Sequence, residues 1–187
     1  MKDRRVAFVL ALTLMMSAVS FAATKEEKQK KVRDASAQTL QDLYKLQSSA
    51  HEAIRKSAGY AVFKNFGTNV LVVSTASGSG LAVNNKSKHE TFMKMISGGA
   101  GLGVGVKDFR VIFVFGSQKA FDTFLNSGWS GSGQADAAAK AGKSGGAYSG
   151  AVEVAPEVYV YQITKNGLAL QLTLQGTKYY KDKDLNN

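Results

Sequence analysis

Apolar positions first recur at Val32, Ala35, Leu40, Leu43, Leu46 and Ala50, roughly the 3.6-residue period of a helix packed along one side. Thr24 with Glu27 three residues later is a capping-box signature, so the spacing predicts a helix opening near Lys25. Ser49 with Glu52 repeats the signature, and Gly59 offers a stop, which predicts a short second helix. No apolar residue falls between Thr24 and Lys31, and Lys25, Lys28, Lys30, Lys31 and Arg33 are spread around the helix. A membrane-surface helix needs a greasy face as well as a charged one. This end reads as solvated.

The period then shortens to two. Tyr60–Phe63, Val70–Ser74 and Leu81–Val83 are short β-prone runs set between Gly, Asn and Ser. Leu102, Val104 and Val106 alternate with glycines. After the Lys107-Asp108 turn, Phe109, Val111, Phe113 and Phe115 alternate with Arg110, Ile112 and Val114. The pair predicts a hairpin with an apolar face on each strand. Ser117–Leu125 predicts a short helix with a serine cap, ending near Asn126-Ser127-Gly128. Gly128–Gly150 is rich in Gly, Ser and Ala, consistent with small-residue strands and turns. Val158–Ile163, Asn166-Gly167 and the alternating Leu168, Leu170, Leu172 and Leu174 predict a second hairpin. Thr177–Tyr180 adds a last strand, and Pro156 is expected at a strand start, where its missing N–H costs little. Helices followed by many antiparallel strands imply an α+β fold with a curled or barrel-like sheet and one short inserted helix.

The first two dozen residues read as an address. Lys2, Arg4 and Arg5 precede an apolar run from Val6 to Val19, and small residues follow at Ser20, Ala22 and Ala23. That order is a secretory signal peptide with cleavage expected after Ala22 or Ala23. The run falls short of the roughly 20 residues that span a bilayer. No cysteine follows it, so the expected product is periplasmic, exported by the general secretory route and without a lipid anchor. The organisation is then a signal peptide over 1–22, a helical segment over 23–57 and a β-rich region over 58–182, the last two forming one domain. With no cysteine in the chain there is no disulfide framework, and the core alone must hold the fold.

Charge adds the first hint of function. The chain has 24 basic and 14 acidic residues; removing Lys2, Arg4, Arg5 and Asp3 with the signal leaves 21 and 13, about +8. Such a surplus favours polyanions, and export demotes nucleic acid among them. The reactive inventory is thin. His51 and His89 stand apart, which makes a poor metal site. The run Gly98–Gly105 never matches the dinucleotide fingerprint, and before Gly142-Lys143-Ser144 the glycine that a P-loop requires is Ala137. No nucleophile elbow and no paired general acid and base occur. No catalytic residue, metal or cofactor is expected.

The order of motifs resembles the SYLF domain, also known as the actin-binding domain of yeast proteins. Ala58-Gly59-Tyr60-Ala61-Val62-Phe63 is similar to its opening. Ser97–Gly105, Val111–Phe115, the helix with Ala120, Phe121, Phe124 and Leu125, Gly128-Trp129, and Gly167–Thr177 continue the series. The resemblance spans about residues 35–180. It departs where the family commonly has Phe-Pro, here Phe63-Lys64, and paired glycines, here Val73–Ser77. The eukaryotic members look like phosphoinositide-binding modules aided by an amphipathic N-terminal helix. The resemblance thus implies non-enzymatic binding of an anionic phospholipid or membrane surface. Lys64, Lys107, Arg110 and Lys143, each beside a family-like segment, are the expected headgroup contacts. Trp129 is a candidate membrane-interface residue, since indole suits that boundary. The alternative is an envelope structural protein that binds another protein or peptidoglycan.

Overall fold

A computed structural model describes residues 25–65, 75–98, 110–131, 146–164, 166–169 and 176–187. Helix α1 (25–46) and helix α2 (Ser49–Lys56) precede strands β1 (Gly59–Asn65), β2 (Thr75–Asn84), β3 (Glu90–Gly98) and β4 (Arg110–Phe115). Helix α3 (Gln118–Ser127) and strand β5 (Trp129–Ser130) follow, then a 3-10 turn at Gly146–Tyr148. Strands β6 (Val152–Ala155), β7 (Val158–Thr164), β8 (Gly167–Leu168) and β9 (Thr177–Lys181) and helix α4 (Lys183–Asn186) complete the series. The strands form one antiparallel sheet in the order β5-β9-β3-β2-β1-β4-β7-β6, with β8 paired to β7. This is the expected α+β architecture.

Ring contacts show how far the sheet curls. Strands β3, β2 and β1 lie between β9 and β4, a separation of roughly 19 Å in a flat sheet at about 4.8 Å per strand. Yet Tyr179 of β9 and Phe113 of β4 have ring centroids 4.9 Å apart. Trp129, one strand further out, lies 5.5 Å from Phe113. The sheet is therefore a half-barrel whose concave face closes on an aromatic core of Phe63, Phe113, Phe115 and Tyr179, with Phe121 and Phe124 from α3. Gly80 makes room for this core, because a Cβ there would run into the Phe63 ring.

Alternate residues face the other way. Val62, Ile112, Val114, Tyr161 and Ile163 are buried under Leu43, Ala50 and Ile54, while Leu81 and Phe92 pack with Val32 and Leu185. Helix α1 thus runs along the convex face. Its buried stripe is Val32, Ser36, Thr39 and Leu43, and Leu46 of the expected stripe is exposed. Small polar residues let α1 approach closely, and Thr39 satisfies its hydroxyl on the Ala35 carbonyl at 2.8 Å.

Several local expectations meet the structure directly. Ser117 caps α3 by accepting from the Ala120 N–H, and Gly128, at φ +69°, ends it. Thr164 pairs with Gly167 and Ile163 with Leu168, so the second hairpin forms where Asn166-Gly167 placed it. The second helix differs: Ser48 holds its N-cap position, without a side-chain cap bond, and the helix stops at Ser57. There the Ser57 hydroxyl donates to the Ile54 carbonyl, and Gly59 already belongs to β1. Both edges of β4 are occupied, by β1 and β7, rather than by the expected glycine-rich neighbour. Residues 66–74 and 99–109 lie outside the described residues, as does the signal segment. Pro156 sits in the tight turn between β6 and β7, not at the start of a strand.

Candidate anion-binding face

The register lines up a row of convex-face residues across the sheet. Tyr180 of β9 lies opposite Lys94 of β3, Lys94 opposite Ser79 of β2, Ser79 opposite Lys64 of β1, and Lys64 opposite Arg110 of β4. Directly opposed side chains on antiparallel strands stand about 5 Å apart at Cβ, and like charges there repel. Lys64 and Arg110 are such a pair. Asp42 of α1 relieves them, binding the Arg110 Nη1 at 2.6 Å while Lys45 approaches the same carboxylate at 4.0 Å. Among the described residues Lys64, half-buried, has no carboxylate partner of its own.

The far end of the row is closed by a clasp. Lys94 binds Asp184 at 2.9 Å and Asp182 at 3.0 Å. These hydrogen bonds, Asp184 first and Asp182 second, raise the Lys94 pKa, and Lys94 in turn holds the Asp184 carboxyl below its ordinary value. Asp182, nearly buried, also caps α4 by accepting from the Asp184 and Leu185 N–H groups. The Asn186 amide bonds the Phe92 carbonyl at 2.7 Å and accepts from the Phe92 N–H at 2.9 Å. Gln29 of α1 donates to the Leu185 carbonyl, which ties helix, sheet and C-terminal turn together. Between them runs a groove of about 320 Å³. It is lined by Lys28, Lys31 and Val32 of α1, Ser79 and Lys94 of the sheet, and Asp182, Asp184 and Leu185.

Of the residues expected from the sequence, Lys64 and Arg110 meet in this row. Lys107 and Lys143 lie outside the described residues. Trp129 is half-buried on the concave side, its ring 5.5 Å from Phe113 and 5.9 Å from Tyr179. His51 is exposed with its ring edge-on to Tyr44, and His89 is exposed in the β2–β3 turn. Among the described residues no group of three or more His, Cys, Asp and Glu gathers to hold a metal ion. No helix among them is long and apolar enough to cross a membrane. Asp42, Lys94 and the clasp were not anticipated, because their roles depend on strand order and on which way α1 runs.

Residues 96–187 match a family model described as "Ysc84: Las17-binding protein actin regulator". Over that span the chain belongs to the Ysc84, or SYLF, family. It is also 33% identical over 145 residues to "Beta cell expansion factor A" of Aeromonas veronii. That similarity covers 76% of this chain and 53% of the relative, so the chain spans about half the length of the curated protein it matches. The SYLF match includes Arg110 and the Asp182 and Asp184 side of the clasp, whereas Lys64, Lys94 and Asp42 precede it.

Proposed function

We propose that this chain is a periplasmic, non-enzymatic module that binds anionic phospholipid headgroups on its convex face. The observation that carries this reading is the opposed pair Lys64 and Arg110, of which only the arginine is bound by Asp42. An arriving phosphate relieves the repulsion that the fold builds in. Lys28 and Lys31, exposed along the same face, extend the positive field. The chain's net charge of +10, SYLF membership and the signal-like start support the same reading. Each cation near an anionic surface contributes about 1 kcal/mol, so several acting together are needed and salt weakens them.

Cosedimentation of the mature protein with phosphatidylglycerol and phosphatidylcholine vesicles, at low and high salt, tests this. Selective, salt-sensitive binding to the anionic vesicles is expected; equal binding to both contradicts it. Mass spectrometry of periplasmic extract should find an N-terminus at Ala23 or Thr24. Recovery with the cytoplasmic fraction and an intact Met1 contradicts the proposed address. A protein partner is the second reading, supported by the matched family's description as Las17-binding and by strands β5 and β6 at the two ends of the sheet order. Stoichiometric recovery of one envelope protein, with no vesicle binding, favours it.

A further inference from the structure

We infer that the exposed corner of the sheet around Ile96 and Tyr180 is the surface that lies against the bilayer, both side chains entering the interfacial layer while Lys178 sits at phosphate level and Lys94 stays clasped by Asp182 and Asp184 beside it. The inference rests on the lipid-binding reading and names the face that reading leaves open.

Ile96 and Tyr180, each 42% exposed, are the large hydrophobic side chains left open on the described strands. Strand pairing sets Ile96 opposite Lys178 and Tyr180 opposite Lys94. Since Lys94 and Ile96, and Lys178 and Tyr180, are two apart on their strands, the four side chains share one face as a checkerboard of apolar and cationic groups. The flanking positions hold small residues: Ser79 lies opposite Lys94, Ser77 opposite Ile96 and Ser130 opposite Lys178. Ile96 and Tyr180 therefore stand above their surroundings. Among the described residues the helical cover reaches Phe92, where Arg33 lies over the ring and Leu185 packs beside it, four residues before Ile96 on β3.

The chemistry of the corner selects its occupant. Two apolar side chains are far too little for a stable protein interface, which needs roughly 800 Å² on each partner. A second copy docked by a two-fold axis would set lysine against lysine. A bilayer interface asks for just these groups: a tyrosine with an apolar body and a polar tip, an aliphatic side chain that enters the acyl boundary, and ammonium groups at the level of the phosphates. The corner is also continuous with the cationic row, since Tyr180 and Lys94 are its end members.

The chain has no cysteine, so single labels are unambiguous. Ile96→Cys, Tyr180→Cys and, as control, Thr123→Cys on the exposed side of α3 would each carry an environment-sensitive fluorophore. On addition of phosphatidylglycerol vesicles the first two should brighten and shift to the blue, and the third should not. The unlabelled double variant Ile96→Ser/Tyr180→Ser should keep its circular dichroism and bind these vesicles about tenfold more weakly. Silent labels at 96 and 180 while the wild type cosediments would overturn this face and leave lipid binding standing. So would an equal response at 123, or undiminished binding by the double variant. A wild type that ignores phosphatidylglycerol would remove the reading and the inference together.

Discussion

Lys64 faces a like charge. It lies opposite Arg110 across a strand pair, an arrangement that disfavours folding, and Asp42 binds the arginine of the two. Two substitutions should therefore move in opposite directions. Asp42→Ala leaves the guanidinium without its carboxylate and should cost about 1–2 kcal/mol in urea unfolding. Lys64→Ala should leave stability unchanged or slightly higher while weakening binding to anionic vesicles; a matching loss of stability would make Lys64 a structural residue. Phe113 is the contrasting case, with ring contacts to Phe63, Phe124, Trp129 and Tyr179. Phe113→Ala should cost about 3–5 kcal/mol and move Trp129 emission to the red, as water reaches the half-buried indole. Lys64 and Arg110 were legible as candidates because each adjoins a recognisable motif. Asp42 was not, since only the path of α1 over β4 brings it to Arg110.

Among the elements, those with a local cause were legible. The serine cap of α3 and the Asn166-Gly167 turn act over a few residues, and both appear as read. Strand β3 was not legible: Phe92 and Ile96 face one side, Met93 and Met95 the other, so no alternation shows. Helix α4 has four residues and depends on tertiary partners, which no periodicity reports. Its clasp should respond to pH at both ends. Asp184 is held below its ordinary value by Lys94, so its contribution is complete above about pH 4 and fades as pH falls through the lowered value. Lys94 is raised, so its contribution is complete below about pH 10 and fades as pH climbs through the raised value. Amide exchange at Leu185 and Asn186 should therefore show protection lost in acid, and Asp184→Asn should blunt that loss. Protection that ignores both acid and the substitution would mean that Asp182 and Asn186 alone hold α4.

At the scale of the molecule, the α+β class and the curl followed from the order of helical and alternating segments. The strand order did not, because β9 returns to β3 across 80 residues of sequence and no local signal records that pairing. The curl divides the labour. Its concave side buries the aromatic core, and its convex side carries cations drawn from α1 and four strands. Partition of wild type and Lys64→Glu onto phosphatidylglycerol vesicles at low salt tests this division most directly. The account predicts that reversing this one charge lowers the partition constant by at least tenfold and leaves the small affinity for phosphatidylcholine unchanged. Equal partition of the two proteins would contradict it.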